Sequence, residues 1–237
     1  MNVALVGAGP GDPGLITARG LDLVRSCDAL VYDRLVHPDL VAEAPGNAIL
    51  VARDGLGQAE VNELLVRLGR HGLEVVRLKG GDPFLFGRGG EEAIALAAAG
   101  VPFEVVPGVS SLSAVPAAAS IPITHRGVSS QVTIVSGHDT EALDFHCLAR
   151  APGTLVIFMG LGSLAAIVDG LMREGKPADT PAAVIASGTT AEQHTVVAPL
   201  SGIAGAAAEC APPALVVIGD VVALAGRLAS HDVLAAA

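Results

Sequence analysis

Two glycine-rich stretches carry most of the chemistry this sequence offers. The first, Val6-Gly7-Ala8-Gly9-Pro10-Gly11-Asp12, follows a short apolar run and precedes a helical pattern, where a nucleotide-binding fold places its phosphate loop. A dinucleotide fingerprint needs glycine where Asp12 stands. A carboxylate there repels a pyrophosphate, and Pro10 removes a backbone donor. Asp33, about 20 residues on at the end of the second apolar run, keeps a nicotinamide-dependent oxidoreductase open as an alternative. Asp33 also reads as a cap for the helix that follows. The second stretch runs from Arg77 to Glu92 (RLKGGDPFLFGRGGEE) and has five glycines between two charged clusters. A plain strand-to-helix connection needs one or two, so these glycines bring backbone close to a ligand.

Other chemistries lack their residues. Gly175-Lys176 is followed by Pro177, so no Walker-type phosphate loop is present. Cys27, Cys147 and Cys210 are far apart and form neither a CxxC nor a Cys/His pairing, so no metal site or disulfide framework is expected. A formal charge of −10 without a basic cluster argues against a nucleic-acid surface. The longest charge-free run, Val105 to Thr124, contains Pro107, Pro116 and Pro122 and reads as a loop and buried helix rather than a membrane span. No basic region precedes the first apolar run, so no signal peptide is read, and a cytoplasmic location is expected.

These loops need a scaffold, and the pattern supplies one. Short runs of Val, Leu and Ile alternate with helical periodicity, as in a mainly parallel α/β sheet. Strands are predicted over Asn2 to Gly7, Ala29 to Asp33, Ala48 to Ala52, Glu74 to Lys79 and Phe103 to Val106. Val61, Leu64, Leu65 and Leu68 share one face of a helix over Ala59 to His71. Beyond Pro107 come a small-residue helix, Ser110 to Ser120, and strands over Gln131 to Ser136, Thr154 to Met159, Ala182 to Ala186, His194 to Ala198 and Ala214 to Gly219. The close spacing of the later strands predicts a mixed sheet. Two α/β domains follow, residues 1–113 with a mainly parallel sheet and residues 114–237 with a mixed one.

The segments, in order, resemble the uroporphyrinogen III C-methyltransferases of the tetrapyrrole methylases. The resemblance is carried by the two glycine stretches and by Tyr32-Asp33-Arg34-Leu35-Val36, Val106-Pro107-Gly108-Val109-Ser110-Ser111, Ile121-Pro122-Ile123-Thr124-His125-Arg126, Ser136-Gly137-His138, Thr154 to Gly160, Gly188-Thr189-Thr190 and Pro213 to Gly219. GGDPFLFGRGGEE is its most specific part. The resemblance implies a homodimer that binds S-adenosyl-L-methionine without a metal, in an active-site cleft between the two domains. It places Pro10, Gly80, Gly81, Asp82, Leu85, Ser110, Ser111, Met159, Gly188 and Ala214 beside the cofactor.

The same resemblance implies a proton-acceptor role for Asp33 and that Arg88, Glu91 and Arg126 face the tetrapyrrole, while the sequence itself leaves Glu91, Asp33 or an arginine in a perturbed environment open as the base that removes the ring proton. Arginine suits that role because its planar fork donates two parallel hydrogen bonds to a carboxylate. The implied reaction methylates uroporphyrinogen III at carbons 2 and 7 to give precorrin-2. Methylation of a later precorrin, and a binding module without turnover, are the alternatives beside the oxidoreductase. Arg34, Arg53 and His125 are helpers for concentrating positive charge against the acidic whole. The chain departs from the family in Arg53, which stands where a lysine is named as proton donor and cannot release its proton near neutral pH. Phe158 likewise stands where a tyrosine is usual, and another usual in the helix after Ser111 falls near Ala118.

Overall fold

A computed structural model describes residues 2–228. The end of the predicted second domain, residues 229–237, lies outside the described residues. The order is β1 Val3–Gly7, α1 Ala18–Ser26, β2 Ala29–Tyr32, α2 Pro38–Ala42, β3 Ile49–Ala52, α3 Gln58–Arg70, β4 Val75–Lys79, α4 Gly89–Ala98 and β5 Phe103–Val106. It continues with α5 Ser111–Ala118, β6 Val132–Ser136, α6 Phe145–Arg150, β7 Thr154–Phe158, α7 Leu164–Arg173, β8 Pro181–Ala186, β9 His194–Pro199, α8 Leu200–Ala206, β10 Ala214–Ile218 and α9 Ala225–Leu228. Each predicted strand is present with its ends within a residue of expectation. The chain divides into two compact units, Met1–Ser111 and Leu112–Ala237.

In the first unit the strands form one parallel sheet of order β3-β2-β4-β1-β5. Successive strand residues point to opposite faces, so the β1 residues Val3 and Leu5 join one apolar cluster while Ala4 and Val6 join the other. Val24 of α1 and Leu40 of α2 pack on the second face; Val61 and Leu65 of α3 and Leu96 of α4 pack on the first. Helices therefore cover both faces, which is why β1 and β4 are buried along their whole length. The same alternation puts Arg77 and Lys79 on the face of Val75, beneath α3 and α4.

In the second unit the sheet has order β6-β7-β10-β8-β9. β6 and β7 run parallel, while β10 is antiparallel to β7 and β8, and β9 is antiparallel to β8. The mixed sheet expected from the spacing is thus present. Ile167, Leu171, Leu200 and Ile203 cover one face, and Val115, Ile121 and Val221 the other. The charge-free run resolves into the end of β5, a loop, α5 and a further turn and loop. Among the described residues no helix is long and apolar enough to cross a membrane.

Candidate active site

In the first unit, the loops after β1, β4 and β5 meet at close backbone contacts. Gly9 and Gly81 form a bridge, with Gly81 N donating to Gly9 O at 2.6 Å and Gly9 N to Gly81 O at 3.3 Å. A Cβ on Gly7 would lie 2.5 Å from Gly108 Cα and 2.6 Å from Gly81 O. Asp82 joins two of the loops: its Oδ1 accepts from Phe84 N at 2.9 Å and its Oδ2 from Gly108 N at 3.1 Å. The carboxylate expected beside the cofactor is therefore also the brace that sets the loop spacing. Ser111 Oγ is 3.7 Å from a Cβ on Gly81, and Pro10, Gly80, Leu85 and Ser110 are half-buried around the convergence. A ligand held by backbone amides and short apolar contacts fits such a surface at the carboxyl ends of parallel strands.

Asp12 resolves the first motif. Its Oδ1 accepts from Gly14 N at 2.7 Å and caps a short 3-10 turn over Pro13–Leu15, and the first α-helix begins only at Ala18. The α-helix N-terminus that a pyrophosphate requires does not open directly off these glycines. Asp33, which the dinucleotide alternative needs for a ribose, is taken up by cations. Arg77 Nη2 donates to its Oδ1, and Arg53 Nη1 lies 3.7 Å from the same atom. Nor does Asp33 cap the next helix: His37 is the N-cap of α2, its Nδ1 accepting from Asp39 N. Arg53, in the place of the family's lysine, thus stands beside the proposed proton acceptor as a fixed charge.

Behind Asp33 lies a cluster that the sequence reading did not assign. Arg77, Lys79 and Glu92 are fully buried. Glu92 Oε1 accepts from Arg77 Nε and Lys79 Nζ, both at 3.0 Å, and from Gln58 Nε2 at 3.3 Å. Burial pushes the Lys79 ammonium below its ordinary value, Arg77 adds to this, and Glu92 and Asp33 oppose it. Removing one partner of such a cluster costs about 3–5 kcal/mol, because a buried charge is left uncompensated. A signal existed: two cations two residues apart in a strand buried on both faces must find an anion inside.

The substrate-facing candidates are placed differently. Arg88 and Glu91 form an exposed fork, with Arg88 Nε and Nη2 each donating at 2.8 Å. The hydrogen bond from Arg88 holds the Glu91 carboxyl below the usual carboxylate range. Arg88 has a left-handed φ of 57°, strain that a non-glycine residue tolerates only where surrounding structure enforces it. Arg126 is exposed on a turn closed by the His125–Ser129 bridge, and His125 Nδ1 lies 2.8 Å from Arg126 O. Arg34 is exposed two residues past β2.

In the second unit, three predicted cofactor residues gather at one end of the mixed sheet. Met159 follows β7, Gly188 follows β8, and Ala214 opens the antiparallel β10, opposite Ala186. Met159, Ser187 and Thr189 have φ of 53°, 48° and 70°, so the left-handed conformation recurs just past β7 and β8. Gln193 pins this region: its Oε1 accepts from Thr189 N at 2.8 Å and its Nε2 donates to Ala118 O at 3.1 Å. A Cβ on Gly188 would lie 2.5 Å from Val115 Cγ1, so the loop lies directly on α5. Neither Gln193 nor the left-handed backbone of Met159, Ser187 and Thr189 was legible as a site feature. Among the described residues no group of three or more His, Cys, Asp or Glu is placed to hold a metal ion.

Comparison with known proteins fits this arrangement. Residues 2–204 match the family model for tetrapyrrole (corrin/porphyrin) methylases. The chain is 47% identical over 231 residues to a siroheme synthase of Sodalis glossinidius, covering 94% of this chain and 49% of that one. It spans about half the length of the siroheme synthases it matches. It is 45% identical to an S-adenosyl-L-methionine-dependent uroporphyrinogen III methyltransferase of Methanosarcina barkeri, covering 98% of this chain and 94% of that protein. A crystal structure of uroporphyrin-III C-methyltransferase from Thermus thermophilus, complexed with S-adenosylhomocysteine, superposes with a TM-score of 0.83 at 42% identity, covering 94% and 100% of the two chains. The chain belongs to the tetrapyrrole methylases.

Proposed function

We propose that this chain is an S-adenosyl-L-methionine-dependent methyltransferase that methylates uroporphyrinogen III at carbons 2 and 7, giving precorrin-2 for sirohaem or cobalamin synthesis. The observation that carries the reading is the match along nearly the whole length to a methyltransferase of that name. When bound, the sulfonium supplies an electrophilic methyl group. A ring carbon forms the new bond, the methyl–sulfur bond breaks with its electron pair going to sulfur, and the macrocycle loses a proton elsewhere.

The chain's own residues then have four tasks. The loops around Gly9, Gly81 and Gly108, with Pro10, Gly80, Asp82, Leu85, Ser110 and Ser111, hold the methyl donor, and Met159, Gly188 and Ala214 complete the cofactor set. Orientation and exclusion of water by these groups supply much of the acceleration. Asp33 takes the ring proton: its carboxylate is oriented by Arg77, stands beside Arg53 and stays open to solvent. Arg88 and Arg126 bind substrate carboxylates, Arg88 exchanging Glu91 for a ligand group. A cytoplasmic homodimer belongs to the same reading, and sedimentation at micromolar concentration tests the dimer.

Calorimetric titration with S-adenosylhomocysteine and with NADH tests the cofactor. Binding of the first without the second is expected, and tight NADH binding alone would restore the oxidoreductase. Turnover with a precorrin but not with uroporphyrinogen III would move the assignment to a later methylase.

A further inference from the structure

Five side chains make a continuous polar chain from the interior of the first unit to one carboxylate that solvent reaches. Glu92, at 0% exposure, gathers Lys79 and Arg77 at 3.0 Å and Gln58 at 3.3 Å. Every nitrogen of the Arg77 fork is engaged: Nε on Glu92, Nη1 on the carbonyls of Leu78 and Val31, and Nη2 on Asp33. Its guanidinium therefore has one orientation, and that orientation fixes where the Asp33 carboxylate stands. Asp33 retains 22% exposure, whereas Arg77, Lys79 and Glu92 have none.

The elements explain why this arrangement forms. Strand alternation places Arg77 and Lys79 on one face of β4, and the first turn of α4 delivers Glu92 to the same face. Lys79 lies under the glycine loop, its Cε 3.4 Å from a Cβ on Gly87. Burying the three ionisable groups Arg77, Lys79 and Glu92 is no efficient way to stabilise a fold, since apolar replacements of similar volume commonly do as well or better.

We propose that Lys79 and Glu92 form a positioning pair which acts through Arg77 to orient Asp33 and set its charge environment. The inference rests on the proposed role of Asp33 as proton acceptor. Its benefit is that a base held by a rigid guanidinium presents one oxygen in one direction, which proton transfer requires. The charged groups facing Asp33 come from three elements: Arg77 on β4, Arg53 after β3, and through Arg77 the pair Lys79 and Glu92 of β4 and α4. Glu91 also interacts electrostatically with Lys79 and Arg53.

The test is a carboxyl-carbon NMR titration of the whole chain, with the Asp33 signal identified by its loss in Asp33→Asn. Glu92→Gln removes a negative charge from behind Arg77, so Asp33 should titrate lower than in the unaltered protein. Lys79→Met removes a positive charge, so it should titrate higher. The double variant Lys79→Met/Glu92→Gln removes one charge of each sign and should titrate close to the unaltered protein. If Glu92→Gln alone does not fold, the upward displacement in Lys79→Met carries the test. Methylation rates measured in parallel should fall in both single variants and recover in part in the double variant, with S-adenosylhomocysteine affinity unchanged.

Coincident titrations in all variants would overturn the positioning pair, whatever the rates. An unaltered protein that makes no methylated tetrapyrrole would instead remove the proposed function, and the titration would still decide the wiring.

Discussion

Replacing Gly108 with Ala probes the convergence on which cofactor binding rests. The added Cβ would stand 2.2 Å from Gly81 O and 2.7 Å from Gly7 Cα. Both neighbours are backbone, so no side chain can swing aside. Ordinary contact is about 3.5 Å, and the loops after β4 and β5 must part by about 1 Å. The Asp82 brace to Gly108 N, at 3.1 Å, lengthens with them. Overpacking of this kind costs about 1–3 kcal/mol of stability. A displacement of about 1 Å at a positioned ligand is enough to cost roughly a hundredfold in rate. Gly108→Ala should therefore weaken S-adenosylhomocysteine binding at least tenfold, about 1.4 kcal/mol, measured by calorimetry, with urea unfolding measured alongside. Gly205→Ala in α8, whose Cβ would meet nothing within 4 Å, serves as the control and should gain roughly 0.5 kcal/mol with unchanged affinity. Unchanged affinity and stability in Gly108→Ala would refute the reasoning.

Asp33→Asn should lower the methylation rate by about 10²–10⁴-fold and leave S-adenosylhomocysteine affinity intact, by single-turnover assay and calorimetry; a normal rate would remove Asp33 from the mechanism. Arg88→Leu and Arg126→Leu should each weaken tetrapyrrole binding by about 1–3 kcal/mol with little effect on the cofactor, and Lys in either place should recover part of it by keeping the charge without the fork. Fluorescence-monitored binding of the oxidised porphyrin to folded variants checks this, and normal binding would discard both assignments. Lys176, buried with Ala149 O at 3.5 Å, has an ammonium that burial pushes below its ordinary 10.5. Its penalty is complete below the folded value and vanishes above 10.5, so Lys176→Met should stabilise by on the order of 1 kcal/mol at neutral pH, with the gain shrinking as pH rises toward 10.5. Chemical unfolding at several pH values reads the difference.

Much of this fold was written in local pattern. Runs such as Val3–Gly7 and Leu215 to Ile218 can be little else than buried strands, and Gln58–Arg70 has the apolar spacing of a helix lying on a sheet. The glycines at 7, 9, 81 and 108 were legible because each ends or follows a strand, but their mutual contact was not, since it depends on the order β4-β1-β5. Charge was the harder case. Arg77 and Lys79 announce themselves by standing in a buried strand, yet Glu92 is found only once α4 is laid across β4. Arg88 and Glu91 were legible as a charged pair beside the glycines, and their i,i+3 spacing lets them pair with each other. The left-handed Met159, Ser187 and Thr189 carry no local signal, because residues of these types seldom adopt that conformation unless the surroundings impose it.

The central claim is tested most directly by the product. The chain is incubated anaerobically with S-adenosyl-L-methionine and uroporphyrinogen III, and the tetrapyrrole is resolved by mass spectrometry. The account predicts a product heavier by two methyl groups, with two equivalents of S-adenosylhomocysteine formed for each. Recovery of unmethylated tetrapyrrole alone, from folded protein that binds both ligands, would contradict it.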